Sequence, residues 1–240
     1  MYRIINENIE LILKQIDRKG AIQVYVSLRE RLHKGNITND QEFIKDFKGF
    51  WTMNAARPDH DFFEKYFHYL EKNKKNQRIP LLDVIKILYN NTKNHKVYFS
   101  FSSKLVHMIN PNKPIYDARI QSFYFLPNFS DKRSYEDKIG IIDKNYKFLE
   151  NEYNRVIEKN ILDSSINLFY ERFGYRDNIT YVKVIDYLIW TLVDSLQSGY
   201  DHKHKRFVPY GTHPKSAFGG TSFMLGTLDE RESEKHERSA

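Results

Sequence analysis

The chain contains no cysteine, which excludes a disulfide framework, a thiolate nucleophile, a zinc ribbon and a cysteine-held iron–sulfur cluster. Long apolar runs are missing too. The first segment, Met1 to Leu13, is interrupted by Arg3, Glu7 and Glu10, and no later run approaches a membrane span. A soluble, cytoplasmic protein with no membrane partner is expected. There is no G-x-x-x-x-G-K-[ST] phosphate loop, no H-E-x-x-H zinc helix and no clear internal repeat. A magnesium-dependent nuclease is disfavoured, because the basic region lacks paired carboxylates of the P-D-x(n)-E-x-K kind. His202, His204 and His213 lie in a histidine-bearing stretch, but a metal site needs three or four ligands in set geometry with second-shell support. Neither a metal nor another cofactor is expected.

Aromatic residues and positive charge are abundant. Aromatics make up 15% of the 240 residues, with 17 Tyr and 17 Phe, and 40% are hydrophobic. Chains that stay unfolded are poor in such residues, so one sizeable core or two small ones are expected. The net charge of +7 is concentrated. Between Glu71 and Lys104, eight basic residues (Lys72, Lys74, Lys75, Arg78, Lys86, Lys93, Lys96 and Lys104) face two acids, Glu71 and Asp83. Such a field suits a polyphosphate partner, because neutralising phosphates releases condensed counterions and gives affinity without sequence preference. A solvated lysine-rich surface has the same composition.

Apolar residues recur at helical spacing almost throughout, as in Ile5, Ile9, Ile12, Leu13 and Ile16, and again in Phe62, Phe63, Tyr66, Phe67 and Leu70. Further helices are expected at about Leu81 to Tyr89, Lys104 to Ile109, Ala118 to Tyr124, Lys144 to Asn160, Ser165 to Phe173 and Tyr181 to Leu196. No segment alternates with period two. The fold class is therefore all-α, a helical domain over 1–199 with irregular crossings, in one lobe or in two lobes around a cleft. A loose or peripheral tail follows over 200–240, where Gly, Ser, Thr and charge replace the apolar pattern.

The stretch with most chemistry runs from Val97 to Phe125. Ser100-Phe101-Ser102-Ser103 reads as a small-residue turn ahead of a helix opening near Lys104, which frees backbone N–H groups for a phosphate. Asn110 to Pro114 stops that helix. Asp117 then opens the next one, where an aspartate N-cap is held ionised by the helix dipole. Taken alone, Asp117 also fits an ordinary cap, and Lys104 a nucleophile, a phosphate contact or a surface lysine. His107 and Trp190 read first as packing residues.

These segments resemble the helix-hairpin-helix DNA glycosylases, including the 8-oxoguanine DNA glycosylase branch. In that family a Gly-apolar-Gly-x-Lys hairpin opens a helix and an aspartate follows at the next helix start. Ser100-Phe101-Ser102-Ser103-Lys104 takes the place of the hairpin, with Ser for both glycines, and Ile115-Tyr116-Asp117-Ala118-Arg119 takes the aspartate segment. Lys104 and Asp117 are 13 residues apart, closer than in typical members by more than one helical turn. Phe50-Trp51-Thr52-Met53-Asn54-Ala55-Ala56-Arg57 and Val184-Ile185-Asp186-Tyr187-Leu188-Ile189-Trp190 extend the likeness over roughly 50–195.

The resemblance implies a helix-hairpin-helix glycosylase fold with Asp117 and Lys104 catalytic. It also implies DNA contacts from Ser100, Ser102, Ser103, Arg119 and Lys96, and a pocket for a flipped base from Phe50, Trp51 and Asn54. The implied function is hydrolysis of the N-glycosidic bond of a damaged or modified base, with an unusual substrate such as a modified base of phage DNA within reach. Two readings compete with it: a non-catalytic DNA-binding module that keeps a degenerate form of the fold, and a helical interaction protein that does not bind DNA. A monomer is expected, because binding, flipping and hydrolysis need only one DNA face.

Overall fold

The computed structural model describes residues 1–18, 20–56, 58, 60–93, 95–130, 132, 134–197, 200, 201, 206 and 207. They form an all-α protein. The helices are α1 (Tyr2–Glu7), α2 (Ile9–Arg18), α3 (Ala21–Lys34), α4 (Gln41–Phe50), α5 (His60–Asn73), α6 (Leu81–Asn90), α7 (Phe99–Ile109), α8 (Ala118–Phe123), α9 (Tyr135–Glu158), α10 (Asp163–Phe173) and α11 (Tyr181–Gln197). Short 3-10 turns occupy Ile37–Asn39 and Met53–Ala56. A two-residue antiparallel ladder pairs Tyr200 with Phe207 and Asp201 with Arg206. The glycine-rich segment 211–226, the charged end of the chain and His202, His204 and His213 lie outside the described residues.

Local chemistry sets several helix starts. Asp40 accepts from the Phe43 N–H at 2.8 Å to open α4, and Ser134 accepts from the Asp137 N–H at 3.0 Å to open α9. The first apolar segment, continuous in the sequence pattern, is broken at Asn8, whose Nδ2 donates to the Ile4 carbonyl at 2.9 Å. This local bond competes with the helix ladder, so α1 and α2 are separate.

The centre of the fold is α11. Val184, Ile185, Leu188 and Ile189 are each 0% exposed, the pattern of a helix that buries nearly every face. It packs against α8, α2, α10, α9 and α1, and buried residues from Ile5 to Val193 make one continuous apolar cluster. Among the described residues no helix is long and apolar enough to cross a membrane, and no group of three or more His, Asp or Glu side chains is placed to hold a metal ion.

The basic stretch does not form one open face. Lys104 is buried, Lys74 pairs with Glu71 at 2.8 Å, Lys93 pairs with Asp61 at 3.1 Å, and the Lys96 ammonium lies 5.4 Å from the centre of the Tyr98 ring. A groove of about 380 Å³ does gather Lys72, Lys74 and Lys75 with His33, Lys34 and one acid, Glu71, at the C-terminal ends of α3 and α5.

Candidate functional site

Six helices line a cavity of about 340 Å³, with α2 and α3 giving it the apolar residues Ile16, Ala21 and Val24. From the end of α4 come Phe50 and Trp51, from α7 comes Lys104, and from the N-cap of α8 comes Asp117. The central helix, α11, presents Lys183, Asp186, Tyr187 and Trp190. Their spacing of three, four and seven residues puts them on one helical face. Thr52 also lines the cavity, with φ of 49°. That is an outlying conformation for a β-branched residue, of a kind that concentrates at functional sites.

Lys104 is only 6% exposed. Its ammonium donates to the Ser100 hydroxyl at 3.0 Å and to the Trp51 carbonyl at 3.3 Å. Burial pulls its pKa below that of an ordinary lysine, and the charges of Asp117 and Asp186 partly oppose the shift. The result is an amine with a larger neutral fraction than a surface lysine has, held near a carboxylate.

Asp117 is partly buried. Its Oδ1 accepts from the N–H groups of Arg119 at 2.9 Å and Ile120 at 3.0 Å, so it is the helix N-cap expected from sequence. Its Oδ2 accepts no hydrogen bond from the described residues and can act on something in the cavity.

The sequence reading did not single out Lys183 and Asp186 as site residues. The Lys183 ammonium lies 2.7 Å from Asp186 Oδ2, with side chains 2% and 6% exposed. It also sits within 5.1 Å of the ring centres of Tyr25, Trp51 and Tyr187, a desolvated cation–π environment. Burial raises the Asp186 pKa, and the adjacent Lys183 opposes that rise. The only sequence signal was two opposite charges three apart inside an otherwise apolar run, a pattern that usually marks a surface ion pair.

Several of the expected contact residues are placed outside the cavity or engaged within the protein. Ser100 to Ser103 is not a turn: α7 begins at Phe99, and the Ser102 N–H is already paired with the Tyr98 carbonyl at 2.9 Å. Ser102 and Ser103 are 0% exposed, so neither side chain is at the surface. Ser100 is partly buried and holds Lys104 instead. Arg119 forks onto Asp194 Oδ1 at 2.5 and 3.1 Å and stacks over Trp190 at 4.1 Å, tying α8 to α11. Asn54 is exposed on the 3-10 turn, and Lys96 is exposed beside Tyr98; both stand outside the cavity lining.

His107 is fully buried, and its role is structural. Its Nδ1 meets the Lys113 carbonyl at 2.7 Å, so this nitrogen carries the proton, and Nε2 accepts from the Tyr25 hydroxyl at 2.9 Å. Burial, reinforced by the charge of Lys183, holds its pKa well below the usual histidine range. The unfolded chain therefore takes up this proton near pH 6.5 while the folded one resists it. Stability is expected to fall below that pH by up to about 1.4 kcal/mol per pH unit. Urea denaturation at pH 7 and pH 5.5 checks this, and His107→Gln should flatten the dependence.

Two polar atoms of the cavity-lining residues have no partner among the described residues: Trp51 Nε1, a donor, and Asp186 Oδ1, an acceptor. Buried polar groups are nearly always satisfied, so this pair marks a place where hydrogen bonding is incomplete. Comparisons of the chain with protein-family models, characterised proteins and solved structures find no match.

Proposed function

We propose that the protein is a DNA glycosylase of the helix-hairpin-helix type, hydrolysing the N-glycosidic bond of a damaged or modified base to leave an abasic site. The observation that carries the proposal is the convergence of Asp117 and Lys104 on one cavity with aromatic walls. Its volume of about 340 Å³ lies at the small end of ligand clefts, where a single flipped base fits. Phe50, Trp51, Tyr187 and Trp190 offer faces for stacking. The unpaired Trp51 donor and Asp186 acceptor suit the polar edge of a base. Asp117 caps α8, the helix that follows α7, which is the place the resemblance implies for the aspartate.

Cleavage of the bond builds positive charge at the sugar, and the free Asp117 oxygen supplies the opposing charge. The same carboxylate can take a proton from the attacking group. If that group is water, a free abasic site results; if it is the Lys104 amine, a Schiff base forms that borohydride traps. The basic groove of Lys72, Lys75, His33 and Lys34 gives sequence-independent attraction to the phosphate backbone.

The test is abasic-site formation, read with an aldehyde-reactive probe on genomic and phage DNAs bearing ordinary, oxidised, alkylated and hydroxymethylated bases. New abasic sites on one class would name the substrate. Salt-sensitive binding without any abasic sites would instead identify a non-catalytic DNA-binding module.

A further inference from the structure

The serines that the sequence places in a phosphate-binding turn have another use. Ser103 is 0% exposed on α7, one residue before Lys104. Its Oγ accepts from the Tyr116 backbone N–H at 3.0 Å. The same oxygen lies 3.2 Å from the Tyr116 carbonyl and 3.0 Å from the Ser100 carbonyl, so its single proton serves these two acceptors. One side chain thereby engages both backbone groups of Tyr116, much as a neighbouring strand would. The Tyr116 ring is held from the same helix, stacking on Phe99 with centroids 3.8 Å apart and planes 18° apart.

Tyr116 immediately precedes Asp117. The aspartate is thus fixed from both sides: its side chain by the N–H groups of α8, and the backbone of the residue before it by the Ser103 hydroxyl. Because Ser103 adjoins Lys104 on one rigid helix, the same bond sets the separation of the two groups in the cavity. We propose that Ser103 is a positioning residue that fixes Asp117 relative to Lys104 through the Tyr116 backbone; the proposal rests on the glycosylase reading above. An alanine at this position leaves the buried Tyr116 N–H without its partner. The 114–117 segment is then free to shift, and displacement by about 1 Å is enough to cost on the order of 100-fold in rate.

Three variants separate positioning from bulk stability: Ser103→Ala, Ser103→Cys and Ser165→Ala. Ser165 is a comparable control, 1% exposed, whose hydroxyl donates to Asn6 Oδ1 at 2.6 Å away from the cavity. Single-turnover excision and DNA affinity are measured for each at a temperature where all are folded. Ser103→Ala is expected to slow excision about 100-fold while its Kd for DNA stays within about twofold of wild type. Ser103→Cys, with a weak donor and acceptor, should fall between, and Ser165→Ala should excise at the wild-type rate despite a lower Tm. Wild-type excision by Ser103→Ala, or an equal loss in Ser165→Ala, overturns the positioning role. Should Ser103→Ala fail to fold, Ser103→Cys decides, and a wild-type rate from it overturns the proposal. A wild-type protein that makes no abasic sites on any DNA overturns the glycosylase reading itself, an outcome that none of these variants can mimic.

Discussion

Lys183→Met is expected to remove about 3–5 kcal/mol of folding stability, the usual cost of stripping one partner from a buried ion pair. The ammonium and the Asp186 carboxylate are 2.7 Å apart, and their side chains are 2% and 6% exposed. Without the ammonium, Asp186 must either stay ionised in an apolar helix or take up a proton, and its pKa is already raised by burial. Against a domain stability of about 5–15 kcal/mol this is a large share, and a fall in Tm on the order of 10 °C follows. Replacing both partners, as Lys183→Met with Asp186→Leu, should recover most of the loss, because two apolar side chains avoid the desolvation cost of the pair. Urea denaturation of the two singles and the double measures this directly. A single-variant loss under about 1 kcal/mol would show that the pair is solvated, contrary to its placement. A double variant that is stable yet unable to excise bases would show that the pair is kept for function.

Asp117→Asn is expected to lower excision by about 10²–10⁴-fold, the range for losing a charge that stabilises a transition state and handles its proton. Asparagine is nearly isosteric and remains a good N-cap, so the bonds from the Arg119 and Ile120 N–H groups at 2.9 and 3.0 Å can persist. Folding and DNA affinity should therefore be unchanged. Asp117→Ala removes the cap as well and should cost about 1 kcal/mol of stability beyond the same loss of activity. The Asn and Ala variants together separate the structural role of this residue from its chemistry.

Much of the architecture is written in helical spacing. Apolar residues at three and four intervals mark α2, α5 and α11 because each must bury one face or, for α11, nearly every face. The N-cap role of Asp117 was legible for a local reason, a short acceptor after an extended Pro-Ile-Tyr. The likeness that linked Trp51, Lys104 and Asp117 concerns residues that share a cavity.

The failures have physical causes too. Ser100, Ser102 and Ser103 carry the local preference for turns and caps, but Phe99, Phe101, Leu105 and Val106 bury the segment as helix, and that burial outweighs serine propensity. Asn54 is close to Trp51 in sequence, yet the 3-10 turn at Met53–Ala56 leaves its side chain exposed. Arg119 looked like a phosphate ligand because its acidic partner, Asp194, is 75 residues away. Lys183 and Asp186 stay hidden in the sequence because their significance depends on burial against Tyr25 of α3 and Phe50 and Trp51 at the end of α4, which spacing within one helix cannot reveal.

The central claim is that the cavity holding Asp117 and Lys104 breaks N-glycosidic bonds in DNA. Its most direct test is abasic-site formation by the wild-type protein beside Asp117→Asn, with DNA affinity measured on the same samples at low and high salt. The expected result is abasic sites from the wild type alone, with equal, salt-sensitive binding by both. Abasic sites from both proteins at the same rate, or from neither on any DNA, would contradict it.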